Sequence, residues 1–178
     1  MKKQLSITVA LNLITCCVLG QVLKANTTVK TNKITFKVEA VKQHLATSNG
    51  ISVTNIKNIY SGRIPRVSAE SVSLYDKIEK GSIIKSFTQV FDDTRLKELT
   101  AERAINIFLF VTPTGKVSEV SFLVNKDTQL TAVELEQLEN AIKTNVSFNI
   151  RPEETQGANF FILPLVLRYQ YMLERRER

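Results

Sequence analysis

The sequence predicts an α+β fold: a small antiparallel sheet with a helix packed on one face. Three observations carry it. Residues 105–111 and 117–124 are two apolar strands joined by the turn Thr112, Pro113, Thr114, Gly115, a connection short enough to force an antiparallel hairpin. A helix opens at Thr131 with Glu134 three residues on, the spacing of a capping box. The stretch Asn159–Tyr169 is strongly apolar and holds Pro164, which places it at a sheet edge or a bulge because proline has no ladder donor.

The chain has 178 residues and 43% hydrophobic content, enough for one ordinary domain or two small ones sharing a core. Met1, Lys2 and Lys3 precede an apolar run from Leu5 to Gly20, and no acidic residue occurs before Glu39. This is the pattern of a secretory signal, too short for the roughly 20 residues of a bilayer span. Residues 1–20 are therefore expected to be removed between Gly20 and Gln21, with the bond after Ala25 as second choice. Leu13, Ile14, Thr15, Cys16 also fits a lipobox, in which Cys16 would be lipidated, although Thr15 stands where a smaller residue is usual. An uncleaved anchor is the third alternative. Cleavage after Gly20 removes both cysteines, leaving packing alone to stabilise the fold.

Residues 21–32 are polar and read as a loose leader. Residues 33–104 form an amino-terminal β/α region. Ile34, Phe36 and Val38 alternate with Thr35, Lys37 and Glu39, the two-residue period of a half-buried strand. After Asn49 and Gly50, the residues Ile51, Val53, Ile56 and Ile59 carry a weaker strand signal, and Gly62 to Pro65 reads as loop. Ile83, Ile84, Phe87, Val90 and Phe91 fall on one face of a short helix, closed by Asp92, Asp93 and Thr94. Residues 105–173 form the β-β-α-β unit already described, in which Leu130 and Leu135 staple the helix start and Leu135, Leu138, Ala141, Ile142 and Val146 face the hairpin. The charged end, Glu174 to Arg178, reads as solvated.

Catalytic, metal and cofactor signals are missing from the sequence. His44 is the sole histidine and cannot build a zinc set without cysteines or a second histidine. The carboxylate pairs Asp92/Asp93 and Glu153/Glu154 sit at element ends, where solvated turns are expected. No phosphate loop, nucleophile elbow or metalloprotease helix occurs. Phe108, Phe110, Phe122, Phe160 and Phe161 read as core, and Tyr169 and Tyr171 as partly wet positions. The formal charge of +7 includes Lys2 and Lys3; outside the cytoplasm the remaining basic excess suggests anionic surfaces or no charged partner at all, and export argues against nucleic acid.

Between Ile105 and Tyr169 the chain resembles the carboxy-terminal domain of TonB. The resembling residues are the strand Ile107 to Val111, the restart at Gly115, Lys116 and Val117, the helix ending before Val146, then Phe148, Pro152, Gly157 and the closing Leu163, Pro164, Leu165, Val166, Leu167. Phe148 stands where that family has tryptophan, and the family's membrane helix and proline-rich spacer are missing. As a whole the chain resembles exported proteins of Bacteroides-type bacteria. The resemblance implies a non-enzymatic protein, secreted or in the periplasm or cell envelope of a Gram-negative bacterium. Its partner would be an envelope protein or extended peptide, paired through an edge strand at Asn159, Phe160, Phe161, Ile162 and Leu163. Membrane association is expected only through lipid at Cys16. The rival expectation is a small-molecule or glycan-binding envelope protein with a pocket lined by Tyr60, Tyr75 or Phe91.

Overall fold

The structure, a computed structural model, describes residues 22–41, 50–79 and 81–176. The expected signal, its Gly20/Gln21 cut, Cys16 and His44 lie outside them. Ten main elements follow in order: β1 (Thr27–Lys30), β2 (Thr35–Ala40), β3 (Gly50–Asn55), α1 (Ser82–Val90), α2 (Asp93–Leu99), β4 (Ala104–Val111), β5 (Val117–Asn125), α3 (Ala132–Asn145), β6 (Phe161–Arg168) and α4 (Tyr169–Arg176).

The strands form one antiparallel sheet in the order β1-β2-β3-β5-β4-β6. Val53 of β3 faces Phe122 of β5, which in turn faces Ile107 of β4, so residues from both halves of the chain meet in one sheet and one core. The two-residue period sends Phe36, Val38, Ile51, Val53, Ile105, Ile107, Leu109, Val120 and Phe122 to the helix-covered face, where all are at most 1% exposed.

The α3 start forms as its sequence dictates. Thr131 Oγ1 accepts from the Glu134 N–H at 3.2 Å, and the Glu134 carboxylate accepts from the Thr131 N–H at 2.8 Å. The same carboxylate binds Arg95 of α2 at 2.7 Å, so the cap also ties two helices together. Leu135, Leu138, Ala141, Ile142 and Val146 are buried as expected.

Several elements differ from expectation. Thr27–Lys30, read as part of a loose leader, pair with Thr35–Val38 as β1, and just before them Leu23 is 2% exposed. Ile56 and Ile59 do not extend β3 and are exposed, because the chain turns at Asn55, whose side chain accepts from the Lys57 N–H. Asp92 accepts from the Arg95 N–H at 2.7 Å and caps α2, where the sequence showed only a turn. The chain continues from β6 into α4, where Met172 and Leu173 are buried while Glu174 and Arg175 are exposed as read.

Tyr169 was expected at a wet position but is 1% exposed, and its hydroxyl lacks a hydrogen-bond partner among the described residues. Burial pushes its ionisation well above the usual tyrosine range. An unpartnered buried hydroxyl costs stability, so Tyr169→Phe should leave the protein as stable or raise it by about 1 kcal/mol. Clear destabilisation in a urea melt would mean that the hydroxyl has a hydrogen-bond partner in the folded protein.

Candidate functional site

β6 pairs with β4 along its whole length and, among the described residues, with no strand on its other side. In an antiparallel ladder the N–H and C=O of one residue point to the same side, alternating along the strand. Two hydrogen bonds fix the phase here. The Pro164 carbonyl points away from β4 and accepts from the Tyr75 hydroxyl at 2.8 Å, and the Tyr169 N–H points back to the Arg103 carbonyl at 3.2 Å. Residues 161, 163, 165 and 167 therefore bond to β4, while Ile162, Pro164, Val166 and Arg168 present their main chain outward.

The same phase explains Pro164. Its missing N–H falls on the outward side, so the ladder loses no bond, and the strand needs no bulge there. The irregularity in this part of the sheet lies instead in β4 against β5, between Phe110 and Val111.

Of the residues expected to offer free backbone, Ile162 is the one within β6 that directs its main chain outward. Asn159 is exposed ahead of the strand, and its side chain accepts from the Arg66 N–H at 3.3 Å. Phe160 is 1% exposed beneath Tyr60, with ring centroids 4.5 Å apart. Phe161 and Leu163 are fully buried and bond to β4. The outward edge continues instead past Pro164 to Val166 and Arg168, beyond the segment the sequence singled out.

An apolar groove of about 240 Å³ runs beside that open stretch. Leu165 and Leu167 form one wall on the helix-facing side of β6, and Ile78, Ile83, Ile84 and Tyr171 form the others. Ile83 and Ile84 are half-buried because α1 turns Phe87 and Ser86 into the core, leaving the start of its apolar face at the sheet margin. Val166 on the opposite face is 67% exposed. Tyr171 is exposed with the Arg175 guanidinium over its ring at 5.1 Å.

A second, wider cavity of about 620 Å³ lies between residues 76–79 and 147–154. Its two cations share one carboxylate: Lys77 meets Glu154 at 2.9 Å and Arg151 meets it at 2.8 Å. Arg151 and Lys77 together hold Glu154 down at about 2. Glu154 thus serves a local turn, and Asp92 a helix cap, in keeping with the reading of both carboxylate pairs as element ends. Tyr60, Tyr75 and Phe91 line no common pocket: Tyr60 stacks on Phe160, Tyr75 holds Pro164, and Phe91 packs in the core 5.8 Å from Phe87.

One buried polar cluster went unseen in the sequence. Glu139 of α3 is fully buried; one oxygen accepts from Lys143 at 2.6 Å and from Asn55 at 3.5 Å, and the other has no partner among the described residues. Lys143 also reaches Glu119 at 2.9 Å. Burial raises the Glu139 carboxyl above its ordinary 4.5, with Lys143 opposing. A raised folded value favours the protonated native state, so this contribution is full below about pH 4.5 and is lost as pH rises through the folded value. The stability of Glu139→Gln relative to the parent should therefore improve as pH rises above that point. Urea midpoints that stay parallel across the range would contradict it.

The class defined by these features is an α+β protein with an open antiparallel sheet, helices on one face and an accessible edge strand. No family model matches the chain, and no curated protein matches it. Its fold is similar to the crystal structure of a DUF5043 family protein from Bacteroides uniformis. The TM-score is 0.65 at 16% identity, over 83% of this chain and 87% of that one. At that identity the likeness is one of fold, and it agrees with the sequence's resemblance to proteins of Bacteroides-type bacteria.

Proposed function

We propose that this chain is an exported, non-enzymatic binding protein that takes up an extended peptide segment of an envelope partner along β6. The observation that carries this reading is the outward edge at Ile162 and Val166 running beside the groove of Ile83, Ile84, Leu165 and Leu167. Strand addition gains affinity from main-chain bonds and specificity from pockets for alternate side chains. Residues of an added strand that share a face with Leu165 and Leu167 would drop into this groove. A peptide with an apolar residue at every second position is the matching partner. The resemblance to the TonB carboxy-terminal domain supports the same mode of recognition.

If the chain is exported, Val22 and Leu23 bear on which bond is cut. Val22 bridges to Thr131 and Leu23 is core, so a cut after Ala25 would strip a buried side chain, whereas a cut after Gly20 spares it. The intact mass of the exported protein should correspond to a start at Gln21, and a mass matching acylated Cys16 would replace secretion by lipid anchoring.

Val166→Pro tests the binding mode. It removes an outward N–H and leaves every bond to β4 in place. Random displayed peptides selected on the parent protein should bind the variant at least about tenfold more weakly, with the melting temperature little changed. Equal binding to both proteins, or no enrichment of extended apolar-alternating peptides, would rule the mode out.

A further inference from the structure

The loop from residue 56 to residue 69 is built inside out. Asn55 and Asn58 are 9% and 7% exposed, whereas Ile56, Ile59 and Ile64 are 57%, 58% and 87% exposed. Burying amides while holding isoleucines in water opposes the ordinary folding preference. The arrangement is tightly specified. Asn55 and Asn58 each accept from the main chain two residues on, at 2.9 Å. Successive turns close from Asn58 to Asn55, from Ser61 to Asn58 and from Arg63 to Tyr60. Asn58 also donates to Ser121 at 3.4 Å, and Tyr60 stacks on Phe160 and Phe110. Asn55 is held from the helix side by Glu139, while Asn58 and Tyr60 anchor the loop on the sheet's uncovered face, and its isoleucines stay exposed.

The charge of the segment is equally one-sided. Residues 41–69 contain no aspartate or glutamate. Lys57, Arg63 and Arg66 are exposed beside the isoleucines, and none makes an ion pair among the described residues. Exposed apolar side chains interspersed with unpaired cations fit an anionic bilayer surface, which takes the apolar tips between headgroups and the cations at phosphates. None of the larger cavities is lined by these isoleucines. They are exposed side chains, and a fluid interface accepts exposed apolar side chains without a complementary pocket.

We infer that residues 56–66 dock the protein on an anionic phospholipid surface, independently of any lipid at Cys16. The loop lies over the face of the sheet opposite the helices, whereas the β6 groove lies on the helix-facing side. This inference does not rest on the peptide-binding reading, and either can fail without the other.

The test is vesicle sedimentation of the full processed protein. The parent is compared with Ile59→Ser/Ile64→Ser and Arg63→Glu on vesicles of equal parts phosphatidylglycerol and phosphatidylcholine, and on phosphatidylcholine alone. Every variant carries the same amino terminus, so the loop's share is the difference between parent and variant. On anionic vesicles the paired serine substitutions should lower partitioning roughly tenfold. The Arg63 reversal should lower it by about fivefold or more, with added salt weakening the parent. On phosphatidylcholine the differences should vanish, and melting temperatures should be unchanged because the substituted side chains are exposed. Variants that sediment like the parent on anionic vesicles, or an equal difference on both lipids, would overturn the inference. So would loop-dependent binding to soluble polyglutamate without vesicle binding, which would assign the loop to an acidic protein partner.

Discussion

Gly115→Ala should destabilise the protein by about 2–5 kcal/mol, combining a left-handed backbone cost with an overpacking cost. Gly115 has a φ of +79°, and a Cβ there would overlap the carbonyl oxygen of Phe148 and lie 3.0 Å from its carbonyl carbon. Neither obstacle can relax cheaply. The Gly115 carbonyl accepts from the Phe148 N–H at 2.9 Å, and residues 147–149 also bond to Lys77 and Glu79. A push at Gly115 therefore reaches Ile78, one wall of the β6 groove. The expected result is a large fall in the urea midpoint together with weaker capture of peptides selected on the parent. A variant within about 0.5 kcal/mol of the parent, the range of neutral surface changes, would mean that the turn is not the one described.

Phe122→Ala should cost about 3–5 kcal/mol, the range for truncating a buried aromatic side chain. Phe122 is fully buried and stands in register with Val53 on one side and Ile107 on the other. It thus sits where the amino-terminal strands meet the β-β-α-β unit. Loss of its ring removes packing from both halves at once, so unfolding should move to lower urea as a single transition seen equally by far-ultraviolet circular dichroism and tyrosine fluorescence. Two separated transitions would show that the halves unfold independently.

The elements legible in the sequence were those whose information is local. The capping box at Thr131 and Glu134, the turn at Thr112–Gly115 and the alternation around Phe36 each need only a few neighbouring residues, and each formed as read. Elements stabilised by distant partners were not legible. Thr27–Lys30 carries a single buried apolar side chain, Val29, and becomes a strand only because β2 offers an edge. The charges around Met172 and Leu173 masked a helix whose inner side packs against the rest of the fold. The Glu139 cluster depends on Asn55, 84 residues away, and no local pattern announces it.

The candidate site divides in the same way. Pro164 in an apolar stretch was enough to narrow β6 to an edge or a bulge, because a missing donor is a local fact. Which residues face outward depends on the phase of pairing with β4, fixed by Tyr75 and Arg103 from elsewhere in the chain. Asn159, Phe160, Phe161 and Leu163 could not be separated from Val166 and Arg168 without it. The groove, likewise, joins α1, β6 and α4 across more than eighty residues of sequence.

Amide hydrogen exchange along β6 in the free protein addresses the accessible edge most directly. The outward amides of Ile162 and Val166 should exchange quickly, while those of Leu163, Leu165 and Leu167, bonded to β4, should exchange slowly. Fast and slow positions alternating along the strand are the predicted result. Equal protection of Val166 and its neighbours Leu165 and Leu167 would mean that β6 is already covered and offers no edge to a partner.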